Sequence, residues 1–399
     1  MNTFEKLTAP LNSFLDEQGS KIDKESGSKS LFFSDFALKM IYGITMQVSS
    51  LRILITEFET SQTAMNLGFG ASAYSTFRDG FNRFSVHYFR KLFLCVLESY
   101  DWMRLKAVDE VGIVKLVDGS LFPTLASMCW ATYKKSKNAI RLHLEMDLNR
   151  MIPTEFLAQK ANSCERRFLL SILQESYTYV ADRGYFSFEV GNAIKKAKAF
   201  FVIRIKSNLK LTVFEELEIT SVKTKIPECL NQISDQLAYF DNDPFKNQYR
   251  LISFNVLQSH FLICSNRLDL TTIQVIMLYA YRWQVELMFK FLKRTLNGIH
   301  LFNNSQNGVM IHFYLFMVVA LLKLRLKQIC QRKMKQSIKQ KKQIEDLNHY
   351  YGVQPERWIK TITEDFYSHW KIGIHWIKTL KNLIDQPFNQ NTIVKLTKQ

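Results

Sequence analysis

The sequence predicts an α/β protein whose central layer lies between helical segments near both ends of the chain. Residues 111–206 alternate between short apolar, β-branched stretches and helical stretches, in the order strands, helix, strand, helix, strand. This order favours a layer whose central strands run parallel. The segments before and after the layer show the spacing of about 3.6 residues between apolar side chains that is typical of helices. Glycine and proline number only 14 and 7, which also favours helix.

The N-terminal part divides into two segments. Residues 1–30 are polar and mixed in charge, and we expect a loose polar tail there. Residues 31–108 are predicted to form a basic domain of three or four helices, because the stretch after Leu31 places Phe33, Phe36 and Met40 on one helical face. A basic helical domain of this kind is a candidate for DNA binding.

The central layer is assigned to residues 109–206. One apolar strand, VGIVKLV, ends at Asp118, and a second, YTYVAD, ends at Asp182. Ligand sites of open α/β sheets form at the carboxyl ends of the strands, so both carboxylates are candidate site residues. Taken singly, each aspartate fits a turn residue that accepts backbone hydrogen bonds better than it fits a ligand.

The second half of the chain is predicted to return from strands to helices. Residues 207–265 contain short alternating stretches and polar turns, which indicate a β-rich insertion. Residues 266–325 contain a long helix from about Thr271 to Leu296 and then the apolar stretch Val309–Leu322, which is short for a membrane span and fits a buried helix. Residues 326–399 are predicted to form a basic C-terminal helical region.

A polar stripe lies along the long helix predicted for residues 271–296. At about 100° per residue, the side chains of the stripe fall within roughly 60° of one another on this helix. The neighbouring positions are apolar, so a charge in the stripe needs a partner or a ligand. An exposed stripe with an ion pair between Arg282 and Glu286 is the alternative. The stripe consists of Tyr279, Arg282, Glu286 and Lys293.

Asp118, Asp182 and Glu286 together form a set of three carboxylates. Hard divalent cations prefer oxygen ligands, and Mg²⁺ takes one or two carboxylates together with substrate phosphate and water. Two such ions clamp the attacking and leaving oxygens of an in-line phosphoryl displacement. The positively charged side chains on either side of Glu286, Arg282 and Lys293, are then suited to bind the phosphates of the substrate. The pattern therefore indicates metal-dependent phosphoryl chemistry.

The net charge of +17 indicates a polyanionic partner, of which nucleic acid is the commonest. Residues 301–399 hold 16 Lys and Arg against 6 Asp and Glu, which is +10 of the total. Within them, residues 323–342 hold nine basic residues and no acid, which fits either a solvated helical face or a phosphate-contacting segment.

The cysteine spacing and the N-terminal residues indicate the cellular compartment in which the protein is found. The 6 Cys are scattered without a C-x-x-C pair, which argues against a disulfide framework or a zinc ribbon. The first 30 residues contain no apolar stretch that would serve as a signal peptide. We therefore expect the protein to be in a reducing compartment and not to be associated with a membrane.

These residues resemble the DDE transposases of bacterial insertion sequences, in particular the insertion-sequence-four group. Asp118, in a V-D-G context, resembles the first acid of that group, and Asp182, followed by Gly184 and Tyr185, resembles the second acid in its D-x-G-Y context. The resemblance covers roughly residues 31–325. The group also carries a Y-x2-R-x3-E-x6-K signature, which is matched without a gap by Tyr279, Arg282, Glu286 and Lys293.

The resemblance implies a ribonuclease-H-like catalytic core interrupted by a β-rich insertion, with N-terminal and C-terminal all-α regions. It implies that two Mg²⁺ or Mn²⁺ ions are held by the catalytic residues Asp118, Asp182 and Glu286. It also implies DNA contacts from Tyr279, Arg282 and Lys293.

One feature of some relatives is absent from this sequence. Those relatives stack a tryptophan of the insertion on a flipped base, whereas no Trp lies between Trp130 and Trp283 here. Tyr239, Phe240 or Tyr249 would then have to stack instead, and use of a hairpin end stays open.

We therefore expect a DNA transposase that cleaves DNA at insertion-sequence ends and transfers the freed 3′-hydroxyl into target DNA. The expected partners are double-stranded DNA, at terminal inverted repeats and target, and a second copy in a homodimer on DNA. The expected location is the bacterial cytoplasm, on the nucleoid when DNA is bound.

A non-catalytic transposase-derived DNA-binding protein or repressor is the alternative. A carboxylate-pair hydrolase such as a glycosidase leaves the +17 charge unexplained.

Overall fold

The computed structural model describes residues 3–124, 128–134, 137–220, 230–256, 259–295 and 301–339. The chain divides into two compact units, each discontinuous in sequence. We call residues 1–103, 122–140 and 290–371 the helical unit, and residues 104–121, 141–289 and 372–399 the sheet unit. Of the predicted C-terminal region 326–399, residues 340–399 lie outside the described residues.

Helices and strands follow the predicted order of helical, mixed and helical segments. The helices are α1 (Thr3–Ser26), α2 (Phe33–Thr45), α3 (Leu51–Thr60), α4 (Gln62–Asn66), α5 (Tyr74–Arg83), α6 (Val86–Glu98), α7 (Lys106–Asp109), α8 (Glu165–Ser171), α9 (Phe188–Lys196), α10 (Thr272–Tyr281), α11 (Trp283–Thr295) and α12 (Gln306–Lys339). The strands are β1 (Val114–Pro123), β2 (Thr132–Lys134), β3 (Lys137–Asp147), β4 (Ile152–Lys160), β5 (Thr178–Ala181), β6 (Phe200–Arg204), β7 (Leu211–Glu216), β8 (Leu230–Phe240), β9 (Gln248–Val256) and β10 (Ser259–Ser265).

Helix α12 is the central helix of the helical unit, where it packs against α1, α2, α5 and α6. Nearly all of residues 309–322 are buried, so the predicted buried helix is confirmed. By length and composition alone, residues 306–326 would suffice to cross a membrane, but 78% of the apolar stretch is buried inside the protein. Burial of this kind is typical of the core helix of a globular unit.

Helix α1 corrects the prediction of a loose polar tail at residues 1–30. Leu11, Phe14 and Ile22 of this helix are buried, and the ring of Phe14 lies 6.4 Å from that of Phe33 in α2. The many polar residues of the segment hid an apolar helical face. Burial of that face against α2 and α6 stabilises the helix, since most helical stability comes from packing.

The sheet unit has a ribonuclease-H-like strand order at its centre. The neighbouring strands are β4, β3, β1, β5 and β6, in that order. Strand β1 is parallel to β5, and β5 is parallel to β6. Backbone hydrogen bonds from Leu148 N to Val114 O and from Thr124 N to Asn138 O show that β3 is antiparallel to β1. The predicted α/β class with parallel central strands is confirmed.

The β-rich segment predicted at residues 207–265 continues the same sheet. Strand β10 is antiparallel to β6, and β9, β8 and β7 follow as antiparallel neighbours. The insertion therefore extends the open edge of the core at β6 instead of forming a separate sheet. This extension covers backbone groups of β6 that would otherwise remain an unpaired edge.

A buried ion pair links the insertion to the start of α10. Arg250 Nη2 lies 2.6 Å from Asp235 Oδ2, and both side chains are almost fully buried. Arg250 Nη1 also donates to the backbone oxygens of Arg267 and Leu270, at 2.7 and 2.6 Å. Thr272 Oγ1, in the first turn of α10, donates to the same Asp235 oxygen at 2.7 Å. The position of α10 is thus tied to strands β8 and β9.

We expect Asp235→Ala to destabilise the protein by about 3–5 kcal/mol, because it leaves the Arg250 guanidinium buried without its carboxylate. Urea unfolding measures the change. As a control, Glu175→Ala breaks an exposed ion pair with Lys198, and we expect a change within about 1 kcal/mol. Equal effects of the two substitutions would contradict the structural importance of the buried pair.

Candidate active site

The pairing of β1 with β5 brings the first two candidate acids side by side. The parallel register pairs Val114 with Thr178 and ends with Val117 opposite Ala181. The next residue on each strand is an aspartate, Asp118 on one and Asp182 on the other. Neighbouring strands lie about 4.8 Å apart, so this register places the two carboxylates next to each other at the carboxyl ends of β1 and β5. The predicted juxtaposition of two strand-end acids is present, although β1 itself continues to Pro123.

The third candidate acid comes from a helix that is interrupted where a continuous one was predicted. Helix α10 begins with a capping box formed by Thr271 and Gln274, and it packs against β5, β6 and β10. It ends at Tyr281, and α11 begins at Trp283, so Arg282 lies at the junction. The helix predicted over residues 271–296 is thus interrupted at one residue, Arg282, whose backbone angles stay right-handed helical (φ −50°, ψ −32°).

Two residues of the polar stripe contact the strand-end acids directly. Tyr279 donates its hydroxyl to Asp182 Oδ1 at 3.2 Å. Arg282 Nη1 donates to Asp118 Oδ2 at 3.3 Å, and Nη2 donates to Glu286 Oε1 at 2.7 Å. The structure thus brings five of the six predicted site residues into one connected cluster. The i,i+4 ion pair of the alternative interpretation is also present, but the Arg282 side chain is only 3% exposed, so this is no exposed surface stripe.

The electrostatics of the cluster reflect a concentration of negative charge. Burial raises the pKa of Asp118 to about 6, against the opposing effect of the Arg282 guanidinium, and the charges of Glu286 and Asp182 raise it further. Burial and the charge of Asp182 likewise raise the pKa of Tyr279 to about 12, so this phenol remains a hydrogen-bond donor at neutral pH. A bound cation at this edge would relieve the repulsion among the three acids.

The donor set has the chemistry of a site for a hard divalent cation, because it consists of carboxylate oxygens. Over the described ranges, no three His, Cys, Asp or Glu side chains are arranged so that they hold a metal ion. The positive charge between Asp118 and Glu286 is the guanidinium of Arg282. Its Nε is buried and has no hydrogen-bond partner, so the guanidinium is not fully satisfied in this position. A metal ion bound by these acids would have to share or displace their contacts with Arg282.

Lys293, the last residue of the predicted stripe, belongs to the helical unit. Its ammonium group lies 4.9 Å from the centroid of the Phe122 ring, and partial burial lowers its pKa. Its place beside the acidic cluster stays a prediction.

Two further polar groups, His143 and Tyr185, lie beside the first acid, and neither was among the predicted site residues. A Cβ atom at Gly119 would lie 3.3 Å from His143 Nδ1 and 3.6 Å from the Tyr185 hydroxyl. Both of these polar atoms are buried, and neither has a hydrogen-bond partner. His143 stacks on Phe168, and its Nε2 lies 3.1 Å from Ser163 Oγ. The D-x-G-Y pattern contained a signal for Tyr185, whereas nothing in the sequence around His143 indicated its position.

The glycine of the D-x-G-Y pattern has a steric reason. A Cβ atom at Gly184 would lie 2.5 Å from Glu165 Oε2, which is too close for any side chain. Glu165 is held there by an ion pair with Arg141 of β3. A larger residue at this position would have to displace the Glu165 carboxylate from its place beside Arg141.

Of the three aromatic residues considered for stacking, two are enclosed in the core. Phe240 and Tyr249 are each 2% exposed and contact one another at 5.2 Å between ring centroids. Tyr239 is 41% exposed and stacks on Phe214 of β7 at 4.7 Å. Tyr239 is therefore the one of the three that is accessible for stacking on a base.

The transposase DDE domain family matches residues 111–322, which is more than half of the chain and includes the acidic cluster. The chain therefore belongs to the transposase DDE domain family. Membership in this family implies dependence on a divalent metal ion, in agreement with the oxygen-only donor set of the cluster.

Individual relatives carry the names of transposases. A protein of Sinorhizobium fredii named as the transposase y4zB is 26% identical over 217 residues, which are 53% of this chain and 61% of that protein. A Synechocystis protein named for the insertion sequence element IS4SA is 21% identical over 280 residues, 68% of this chain and 78% of the relative. The chain thus spans about three fifths of the length of the first relative.

A solved structure also shows similarity. The cryo-EM structure of a piggyBac transposase synaptic complex with hairpin DNA matches at a TM-score of 0.43 and 11% sequence identity. The match covers 89% of this chain and 76% of that chain.

The buried histidine gives a prediction about stability and pH. Burial, and secondarily the charge of Arg141, lowers the pKa of His143 to about 4. The folded state therefore favours the neutral ring, and its contribution to stability is present above the unfolded pKa of about 6.5 and is lost as the pH falls towards 4. Between pH 7 and pH 5 we expect a loss of about 2 kcal/mol from this residue.

Urea unfolding of wild type and His143→Gln at pH 7 and pH 5 measures this loss. We expect a smaller decrease of stability in the variant, which has no imidazole to protonate. A decrease of the same size in both proteins would show that His143 is not held neutral by the fold.

Proposed function

We propose that this protein is a DNA transposase, of the insertion-sequence-four type, that acts at the ends of an insertion sequence. It cleaves phosphodiester bonds there and transfers the freed 3′-hydroxyl into target DNA. The observation that carries the proposal is the cluster in which Arg282 contacts Asp118 and Glu286 and Tyr279 contacts Asp182, in a chain of the transposase DDE domain family. The basic charge of +17 supports a polyanionic substrate.

The residues that would hold the metal are Asp118, Asp182 and Glu286. We propose two Mg²⁺ or Mn²⁺ ions as the bound species, because the ligands are hard oxygens and the substrate supplies phosphate oxygens. When bound, such ions supply charge stabilisation of the phosphoryl transition state and activation of the attacking oxygen.

The chain's own residues orient these acids. Tyr279 donates to Asp182 from a helix whose first turn is tied to the Asp235–Arg250 network, and this hydrogen bond helps to orient the Asp182 carboxylate. Arg282 contacts Asp118 and Glu286 and offsets part of their negative charge. Its planar guanidinium also has the fork geometry that suits a phosphate group. We propose DNA phosphate contacts for Tyr279, Arg282 and Lys293.

The proposed reaction is a pair of in-line displacements at phosphorus. In the first, a water oxygen loses a proton to solvent and bonds to the scissile phosphorus, while the bond from phosphorus to the 3′-oxygen breaks and this oxygen takes up a proton. In the second, the 3′-hydroxyl of the cut strand loses its proton and bonds to a phosphorus of the target DNA, while the target 3′-oxygen leaves and takes up a proton. Neither displacement needs a nucleoside triphosphate, since each exchanges one phosphoester bond for another.

The proposed substrate is double-stranded DNA, at terminal inverted repeats and at the target. Joining two ends calls for two active sites, so we propose a homodimer on DNA. The helical unit and the basic residues 323–342 are proposed DNA contacts, of which residues 340–342 lie outside the described part of the chain. For the location we propose the bacterial cytoplasm, with nucleoid association on DNA binding.

Cleavage of a labelled duplex that carries the end of the element, with and without Mg²⁺, tests the proposal. We expect nicking by wild type only with metal, and background rates for Asp118→Asn, Asp182→Asn and Glu286→Gln, because each removes a charged ligand. Glu175→Gln changes an exposed acid outside the cluster and is the matched control. DNA binding without any metal-dependent nicking would instead favour the transposase-derived repressor.

A further inference from the structure

A basic cleft lies at the carboxyl ends of β5 and β6. Its volume is about 280 Å³. It is separate from the acidic cluster in its residues, and none of them belongs to the family signature. The polar residues that line it are Arg183, Arg204, Lys206, Ser207, Asn208 and His260.

The strand topology explains why these side chains meet. Strands β5 and β6 are parallel, so their carboxyl ends lie at the same edge, where Arg183 follows Asp182 and Arg204 ends β6. Strand β10 is antiparallel to β6, with Ile263 opposite Arg204, and its first residues therefore reach this same edge. His260 comes from that start of β10. In open α/β sheets, ligands bind at this edge.

The charge of the cleft is uncompensated within the described residues. None of Arg183, Arg204 and Lys206 forms an ion pair with an Asp or Glu in that part of the chain, and no acid lines the cleft. Two other arginines of the sheet unit, Arg141 and Arg250, differ in that each has a carboxylate partner. A concave site with several cations and no anion of its own suits an anionic ligand.

The cleft is connected to the acidic cluster through packed rings. The Arg204 guanidinium lies 4.6 Å from the centroid of the Phe261 ring, and that ring lies 6.4 Å from the ring of Tyr279. Tyr279 donates to Asp182, and Asp182 is bonded in sequence to Arg183 of the cleft. A ligand in the cleft is therefore a close neighbour of the proposed scissile position.

We propose that this cleft binds the phosphate backbone of the DNA strand that is cut at the acidic cluster, on the side of β6 and β10. The inference rests on the proposed function, and it adds Arg183, Arg204 and Lys206 as strand-binding residues. Arg and Lys are the side chains that most often contact DNA phosphates, and such contacts position the strand without reading its sequence. Contacts at successive phosphates next to the scissile one would hold the strand in register with the three carboxylates.

Salt-dependent binding of a fluorescein-labelled duplex, measured by anisotropy in EDTA, tests the proposal without any cleavage. Each phosphate contact contributes about 0.9 to the slope of log affinity against log salt concentration. We expect Arg183→Gln, Arg204→Gln and Lys206→Gln each to lower the slope by about 0.9, and the triple variant by about 2.7. Arg204→Lys keeps the charge and is expected to keep most of the slope.

The matched controls are Lys160→Gln at the end of β4 and Lys196→Gln at the end of α9, two exposed lysines of the same unit that lie outside the cleft. We expect both controls to keep the slope of wild type. If the triple variant also keeps that slope while wild type binds DNA, the cleft assignment is wrong and the proposed function stands. If wild type itself shows no salt-dependent binding, the proposed function fails as well.

A second arm separates a DNA strand from a free anion. Titration of inorganic phosphate against wild type and the triple variant, followed by calorimetry, measures binding of the free anion. We expect only weak phosphate binding by wild type, because one phosphate engages few of the cations. Tight phosphate binding that is lost in the triple variant, together with an unchanged DNA slope, would overturn the proposal in favour of a small-anion site.

Discussion

The candidate site depends on one backbone register, the parallel pairing of β1 with β5. Val117 lies opposite Ala181, so the next residue on each strand is a carboxylate at the same edge. Side chains alternate between the two faces of a strand, and a slip by one residue would turn one of the acids to the opposite face. Tyr279 and Arg282 make their contacts with Asp182 and Asp118 as this register places them.

A cluster of three acids at a partly buried edge is unfavourable without a compensating cation. Arg282 provides that charge, since its guanidinium contacts Asp118 and Glu286 and is almost fully buried. Arg282 itself lies between α10 and α11, and its backbone angles are right-handed helical (φ −50°, ψ −32°). The carboxyl ends of the central strands thus carry both signs of charge. Acids follow β1 and β5, and cations without an acidic partner among the described residues lie at the ends of β5 and β6.

Local patterns predicted most elements of the fold. The apolar strands around residues 114–117 and 178–181, the β-rich stretch 211–265 and the buried helix after residue 306 are all present, because their periodicity depends on neighbours in sequence. Helix α1 was missed since its apolar face is sparse and is stabilised by packing against α2 and α6. The junction at Arg282 was missed because the apolar pattern runs through it without glycine or proline.

The sequence by itself determined the identity and order of the three acids and the cations beside Glu286, because these are properties of residue type and spacing. It also determined the basic charge that indicates a polyanionic partner. Tertiary structure alone decided that Arg282 joins two of the acids, that His143 and Tyr185 lie beside Gly119, and that Arg204 and Lys206 meet His260 in one cleft. The physical reason is that these contacts arise between strands and helices far apart in sequence, where sheet register and packing set the distances.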